Sequence, residues 1–83
     1  MKYRLVYTKR VLKDIEKLDS VVKKQIGNKI LLLVKNPLKN AKKLIDSRLG
    51  QYRWRIGNYR IIFDIEGADI VIFRMRHRKE IYK

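Results

Sequence analysis

The dipeptide Gly57-Asn58 lies between two runs that alternate apolar with basic residues, and this pattern predicts a tight β-hairpin. A two-residue turn of this kind begins with glycine because its first backbone position needs a positive φ. Once Ile56 pairs with Tyr59, the register of the hairpin is fixed. The remaining predicted pairs are Arg55 with Arg60, Trp54 with Ile61, Arg53 with Ile62, and Tyr52 with Phe63.

Alternate residues of a strand share one face of a sheet, so this hairpin divides into two surfaces. The apolar surface should pack under helices and consists of Tyr52, Trp54, Ile56, Tyr59, Ile61, Phe63 and Ile65. The opposite surface receives Arg53, Arg55 and Arg60, with Arg55 facing Arg60 at a cost of up to about 1 kcal/mol. A single outward arginine is usually a solvated charge, but several on one face predict a phosphate-binding surface.

The turn between Glu66 and Asp69 decides which way the last strand faces, because odd and even loops give opposite registers. A three- or five-residue loop, or a bulge at Gly67, brings Val71, Phe73 and Met75 into the core. Arg74 and Arg76 then join the arginine surface. We favour this register because the alternative turns both arginines toward the helices and exposes Phe73.

The rest of the chain predicts one α+β domain, residues 1–83, with the order β-α-α-β-β-β. Residues 2–7 alternate as a strand, and apolar residues at helical spacing predict helices over 9–18 and 21–35. Thr8 is the expected N-cap of the first helix, and Asn36-Pro37 ends the second. This N-terminal helical hairpin should cover one face of a mainly antiparallel sheet. Its inward residues are predicted as Val11, Leu12, Ile15 and Leu18, then Val22, Ile26, Ile30, Leu33 and Val34.

Residues 38–47 are predicted to form an exposed basic connection with at most a short helical turn. The last three strands are predicted over residues 49–56, 59–65 and 70–75.

Charge is the strongest indication of function. Twenty-two Lys and Arg against eight Asp and Glu give a net charge of +14, which points to a polyanionic or acidic partner, nucleic acid first. A solvated surface from a hot or AT-rich source is the bland alternative. Lysine dominates before position 48, whereas seven arginines lie from Arg48 onward, and the arginine fork binds phosphate bidentately.

Several classes of protein are excluded. The chain contains no cysteine and only one histidine, His77, so disulfides, zinc–thiolate sites and two-histidine catalysis are ruled out. The eight acids show no spacing typical of a magnesium site, and neither a metal nor another cofactor is expected. No apolar run reaches the ~18 residues that a membrane-spanning helix needs, and the first residues lack a secretory signal, so we expect a soluble cytoplasmic protein.

Two segments, YRWRIGNYRIIF at 52–63 and RHRKEIY at 76–82, resemble the RelE/ParE superfamily of toxins from toxin-antitoxin systems. The resemblance covers nearly the whole chain. It implies a RelE-like messenger-RNA interferase that enters the ribosomal A site and cuts the exposed codon. It also implies an acidic, RelB-like antitoxin as partner. The functional positions of the family fall on Arg53, Arg55, Arg60, Arg76 and Tyr82, although familiar members have lysines at the first two.

The implied chemistry is attack by the 2′-hydroxyl of the RNA on the adjacent phosphate, which needs a base, charge stabilisation and a proton for the 5′ oxygen. Arg53 and Arg60 are assigned to the phosphorane, Arg76 to the leaving group, Tyr82 to the 2′ proton, and Arg55 to gripping the substrate. Further RNA contacts are expected from Arg74, His77, Arg78, Lys79, Lys42 and Lys43. Tyr82 could instead only attach the tail to the domain, and His77 could be a surface or hydrogen-bonding histidine.

Two other functions remain open. A ParE-like protein has this fold but poisons DNA gyrase without the RNA-cleaving residues. A basic RNA-binding module without catalysis would bind RNA with strong salt dependence and leave ribosome-bound message intact. A gyrase supercoiling assay and a message-cleavage assay would distinguish these functions.

Overall fold

The computed structural model describes residues 2–46 and 48–81. Its elements are β1 (Arg4–Tyr7), α1 (Lys9–Glu16), α2 (Ser20–Leu33), β2 (Lys42–Lys43), β3 (Tyr52–Ile56), β4 (Tyr59–Glu66), β5 (Asp69–His77) and α3 (Arg78–Ile81). In this part of the chain, the five strands form one mixed sheet in the order β1-β5-β4-β3-β2, and two helices cover one of its faces. The strand β1 pairs in parallel with β5, and the other described pairs are antiparallel. The predicted α+β fold with a mainly antiparallel sheet is therefore confirmed.

The two long helices begin and end close to their predicted bounds. Thr8 caps α1 as predicted, because its Oγ1 accepts a hydrogen bond from the Val11 amide at 3.2 Å. The same hydroxyl donates to the carbonyl of Phe73 at 3.4 Å and so joins the start of α1 to β5. Among the described residues, no helix is both long enough and apolar enough to cross a membrane.

The core lies between the helices and the sheet. Its buried members are Val11, Ile26, Ile30, Leu33, Trp54, Ile61, Phe63, Ile70, Ile72 and Met75. Trp54 is fully buried, stacks on Phe63 at 4.0 Å between ring centroids, and donates its indole N–H to the Pro37 carbonyl at 2.9 Å. One predicted inward residue is wrong: Leu12 is 48% exposed, because it lines an open apolar groove between α1 and α2.

The hairpin of β3 and β4 has the predicted register throughout, from Ile56 opposite Tyr59 to Tyr52 opposite Phe63. Gly57 has φ of +59°, which is the conformation that the glycine-first turn requires. Trp54, Ile61 and Phe63 face the helices and are buried as predicted. The sequence of the turn was therefore sufficient to place this hairpin.

The last strand corrects part of the prediction. The turn is even, with Glu66 opposite Asp69, so Ile70 and Ile72 enter the core instead of Val71 and Phe73. A bulge then follows: Phe63 pairs with Ile72 and Ile62 with Arg74, which leaves Phe73 as the extra residue. Beyond the bulge, Met75 is buried as predicted. The predicted odd loop or bulge at Gly67 is therefore wrong, and the register of β5 is shifted instead by a bulge at Phe73.

The segment predicted as a basic connection contains a strand that the sequence did not indicate. Lys42 and Lys43 form β2, with Lys42 opposite Arg53 and Lys43 opposite Tyr52. The Leu44 amide extends this pairing by donating to the Gln51 carbonyl at 2.9 Å. Lysine has low strand propensity, and its side chains are exposed here, so β2 depends on backbone pairing at the edge of the sheet.

Candidate functional site

Three arginines form a row across three neighbouring strands on the face opposite the helices. Arg55 of β3 lies opposite Arg60 of β4, and Arg60 lies opposite Arg76 of β5. Adjacent strands are about 4.8 Å apart, so the row spans roughly 10 Å at its backbone. Like charges directly opposed in a sheet repel one another, so an anion bound at this row would reduce the repulsion.

A second row lies beside the first and contains Arg53, Ile62 and Arg74 in register. Arg60 and Arg76 of the first row and all three residues of the second border a pocket of about 240 Å³, whose walls are Leu44, Leu49, Arg53, Arg60, Ile62, Arg74 and Arg76. The Nε atoms of Arg60 and Arg76 are buried. Arg55 is exposed and lies outside this pocket. The cavity lined by these seven residues is called the arginine pocket.

The bulge at Phe73 is what gives β5 its place in this pocket. Without the extra residue, alternation from Ile72 would place Arg74 and Arg76 on the helix side of the sheet. The bulge reverses the alternation, and both arginines line the arginine pocket beside β4. The predicted arrangement of the arginines is thus reached by a different backbone route.

Arg74 also contacts a carboxylate of the helical layer. Its Nε donates to Asp14 Oδ2 at 2.8 Å and a terminal nitrogen donates to Oδ1 at 3.2 Å. Asp14 Oδ2 accepts the Met75 amide at 3.1 Å as well. The two side chains are only 23% and 12% exposed, so α1 and β5 are joined by a partly buried, bidentate ion pair. Part of the charge of Arg74 is therefore compensated by Asp14 within the protein.

The segment between β2 and β3 forms the apolar wall of the arginine pocket, and sequence reasoning did not assign it a role. A Cβ on Gly50, whose φ is +142°, would lie 2.6 Å from Ile62 Cγ2, so glycine allows the backbone to rest on Ile62. The Gln51 amide donates to Asp64 Oδ1 at 2.6 Å, and Gln51 Oε1 accepts the Ile65 amide. These contacts hold Leu44 and Leu49 beside the arginines.

A short ion pair stabilises the same segment. The side chain and the backbone amide of Arg48 donate to Asp46 at 3.0 to 3.1 Å. The Arg48 side chain is therefore the main cause of a lowered pKa for the Asp46 carboxyl, with its amide adding to the effect. Asp46 belongs to a neighbouring pocket of about 280 Å³ that also contains Lys42, Lys43, Leu44, Ile45, Leu49, Arg53 and Arg60.

The end of β5 presents a third basic region. His77 lies opposite Tyr59, with the two rings edge to face at 5.2 Å, and its Nδ1 accepts the Lys79 amide at 3.2 Å. The Arg78 amide donates to the Asn58 carbonyl at 2.7 Å, so the start of α3 is tied to the hairpin turn. His77, Arg78 and Lys79 line a depression there with Asn58. His77 thus has the hydrogen-bonding role that the sequence left open.

Comparison with known proteins identifies the family. A profile described as the ParE toxin of the type II toxin-antitoxin system parDE matches residues 5–82. The chain belongs to this toxin family. Toxin RelE3 of Methanocaldococcus jannaschii is 30% identical over 88 residues, covering 95% of this chain and 94% of that protein.

Solved structures agree with this assignment. The toxin-antitoxin complex RelBE2 of Mycobacterium tuberculosis contains a chain with a TM-score of 0.84 and 26% identity, covering 94% of this toxin and all of that chain. The RelB-RelE antitoxin-toxin complex of Methanococcus jannaschii contains one with a TM-score of 0.71 and 32% identity, covering 93% and 94%. This chain is therefore a type II toxin with a RelE-like fold, as its resemblance to the RelE/ParE superfamily implied.

The predicted site residues of the toxin fall into three groups. Arg53, Arg60, Arg74 and Arg76 meet at the arginine pocket, and Arg55 extends their surface. Lys42 and Lys43 adjoin it through the neighbouring pocket, whereas Arg78 and Lys79 lie at the end of β5. Tyr82, the predicted base, lies outside the described residues. Among residues 2–46 and 48–81, no three potential metal-ligating side chains gather at one place.

Proposed function

We propose that this toxin is an endoribonuclease that cuts messenger RNA on the ribosome by attack of the RNA's own 2′-hydroxyl. The observation that supports this most is the arginine pocket, where guanidinium groups from three strands meet on one solvent-facing surface. Preorganised cations of this kind stabilise charge that develops on a phosphate during attack. The identity to RelE toxins is consistent with such an activity.

The position of each residue suggests its role in the proposed reaction. Arg53 and Arg60 lie on neighbouring strands of the pocket and would stabilise the phosphorane oxygens. Arg76, next to Arg60, would stabilise the negative charge on the 5′ oxygen as its bond to phosphorus breaks, and that oxygen would take a proton from solvent water. Tyr82, as its phenolate, would accept the 2′ proton and then release it to solvent, and Arg55 would bind the backbone of the message. The products are a 2′,3′-cyclic phosphate and a 5′-hydroxyl. No step in this proposal uses a metal.

The test is cleavage of messenger RNA on programmed ribosomes. Arg60→Ala should lower the cleavage rate by about 10²- to 10³-fold, because it removes one charge-stabilising donor. Arg10→Ala on the exposed side of α1 removes the same charge away from the pocket and should leave the rate unchanged. If Arg60→Ala cuts as fast as the parent toxin, the proposed active site is wrong.

The role of Tyr82 needs a separate measurement. Tyr82→Phe should slow cleavage by about 10²- to 10⁴-fold while RNA binding stays unchanged, as expected for loss of a general base. An equal loss of binding and cleavage would instead assign Tyr82 to substrate contact or to the structure of the tail.

A RelB-like antitoxin is the proposed protein partner. Two of the structures similar to this toxin are complexes of a toxin with its antitoxin. The net charge of +14 suits an acidic partner that covers basic surface. Expression of the toxin alone should arrest growth, and co-expression with the small acidic protein of a neighbouring reading frame should restore it. Harmless accumulation of the toxin alone would contradict this part of the proposal.

Inhibition of DNA gyrase is the second candidate, because the matching family profile is that of the ParE toxin. A ParE-like activity would not need the arginine pocket. A supercoiling assay decides between the two: inhibition of gyrase that Arg60→Ala leaves intact, together with uncut messenger RNA, would favour the ParE-like function.

A further inference from the structure

The arginine pocket has two chemically different sides. Arg53, Arg60, Arg74 and Arg76 form the cationic side, whereas Leu44, Leu49 and Ile62 form the other. A site for phosphate alone would gain nothing from three aliphatic side chains. Leu49 is 57% exposed at the rim, so its apolar surface stays in water unless a ligand covers it.

We propose that the arginine pocket binds one nucleotide of single-stranded RNA, with its base against Leu44, Leu49 and Ile62 and its phosphate on Arg53 and Arg60. This inference rests on the proposed function, since it takes RNA as the ligand. It adds that the toxin recognises a base directly, through residues of the segment between β2 and β3. Leu44 and Leu49 are thereby assigned as substrate-positioning residues.

Size and chemistry favour a base on this apolar wall. The volume of about 240 Å³ is below the ~300–1,000 Å³ of pockets for drug-sized ligands, so one planar ring system suits it better than a larger group. Bases held by proteins outside a duplex are commonly placed between apolar side chains. Arginine planes add cation–π contact with the ring, and they bind the attached phosphate by charge.

The neighbouring pocket could bind the next nucleotide of the same RNA chain. It shares Leu44, Leu49, Arg53 and Arg60 with the arginine pocket. A phosphate bound by Arg53 and Arg60 at this shared wall would therefore connect two successive nucleotides, one in each pocket. Asp46 lies in the second pocket, where its carboxylate repels a phosphate, so the shared arginines are the better phosphate site.

The geometry of the segment explains how the leucines are held. Gly50 packs against Ile62, and Gln51 is bound to Asp64 and Ile65, so the backbone beside Leu49 is fixed to β4. A base on Leu49 would thus meet a preformed wall, and little ordering would be needed on binding.

The test measures binding of two uncleavable RNA probes to the free toxin. One is a 2′-O-methyl trinucleotide, and the other has the same backbone with an abasic central sugar. The parent toxin should bind the complete trinucleotide about 5- to 10-fold more tightly, a preference of the size expected for covering one apolar surface. Equal affinity for the two probes would overturn the proposal and leave a site for phosphate only.

Paired variants identify the wall. Leu49→Ser should remove the preference for the complete probe and leave affinity for the abasic probe unchanged. Leu31→Ser is the matched control, because Leu31 is 59% exposed on α2 and lies outside both pockets. If Leu49→Ser does not fold, Leu44→Ser tests the same wall. Unchanged preference in a folded Leu49→Ser or Leu44→Ser toxin, or equal loss for both probes, would overturn the proposal.

The outcomes separate this inference from the proposed function. Because the probes cannot be cut and no ribosome is present, a base preference that depends on Leu49 supports the inference even if message cleavage fails. If the parent toxin shows no base preference while Leu49→Ser still cuts messenger RNA at the normal rate, the base-binding inference is wrong and the proposed function stands. An acidic, leucine-containing peptide that depends on Leu49 for binding, with no such dependence for the trinucleotide, would assign the wall to a protein partner and overturn the proposal.

Discussion

Arg60 of β4 lies directly opposite Arg76 of β5, and the same Arg60 lies opposite Arg55 of β3. Three guanidinium-bearing residues thus share one line across the sheet in a protein of net charge +14. Like charges so arranged repel one another, and they concentrate positive charge where the proposed substrate binds.

The repulsion between Arg60 and Arg76 should make the stability of the toxin depend on salt. Raising the ionic strength from about 0.01 M to about 1 M shortens the screening length from about 30 Å to about 3 Å, so the free energy of unfolding should rise. Arg76→Gln should show a smaller rise, by up to about 1 kcal/mol. Urea denaturation at several salt concentrations measures this. Arg10→Gln is the charge-matched control, and equal slopes for the two variants would contradict the prediction.

Two of the three bidentate Arg–Asp pairs among the described residues should differ in strength because they differ in burial. In the pair of Arg74 and Asp14, the side chains are 23% and 12% exposed, whereas in that of Arg4 and Asp69 they are 77% and 30% exposed. A double-mutant cycle with Asp14→Asn and Arg74→Gln should give a coupling of about 1–3 kcal/mol. The cycle on Arg4 and Asp69 should give a smaller coupling, because water and salt screen an exposed pair. Similar couplings for both pairs would show that burial does not control their strength.

Gly50 should tolerate no side chain. Gly50→Ala would bring a Cβ within 2.6 Å of Ile62 Cγ2 at a backbone φ of +142°, so we expect a loss of about 1–3 kcal/mol of unfolding free energy. Gly27→Ala in α2 is the control, because nothing lies within 4 Å of its Cβ and helical alanine is favoured by about 0.5–1 kcal/mol. Chemical denaturation measures both. A neutral Gly50→Ala would mean that the segment beside the arginine pocket is not packed on Ile62.

Ionisation of the Tyr7 phenol should contribute to the loss of folding stability at alkaline pH. Although 38% of Tyr7 is exposed, burial of the remainder raises the pKa of its phenol in the folded protein. The neutral phenol is therefore favoured by folding: its contribution is complete below the unfolded pKa of about 10 and is lost as pH rises through the higher folded value. Tyr7→Phe should flatten the loss of melting temperature above about pH 10. The same slope in both proteins would contradict this.

The sequence predicted the register of the β3–β4 hairpin correctly because Gly57-Asn58 leaves one turn geometry and the flanking residues alternate without interruption. It placed the start of β3 too early, at residue 49 instead of Tyr52. It did not predict β5 correctly because Ile70, Val71, Ile72 and Phe73 are all apolar, so either alternation would bury large side chains. The bulge lets the strand bury Ile72 and Met75 together. Residue patterns predict periodicity well, but the place where a period shifts depends on three-dimensional packing.

In the candidate site too, the residues on regular strands could be predicted from the sequence and those in the irregular segment could not. Arginines on the hairpin could be assigned to one face by arithmetic, and Arg74 and Arg76 reached it as predicted. The apolar wall was missed because Leu44 and Leu49 lie in a segment without regular period, and β2 consists of two lysines with little strand propensity. The one available signal was Gly50, since an isolated glycine just before a strand often marks a close backbone approach.

The bulge at Phe73 divides β5 into two parts with opposite alternation. Before the bulge, the even-numbered residues Ile70 and Ile72 face the core, whereas after it the odd-numbered Met75 does. Deleting this one residue would produce a more regular ladder and would invert the chemistry of the strand's second half. A sequence redesigned for an ideal sheet would therefore move Arg74 and Arg76 away from the arginine pocket, on which the proposed activity depends.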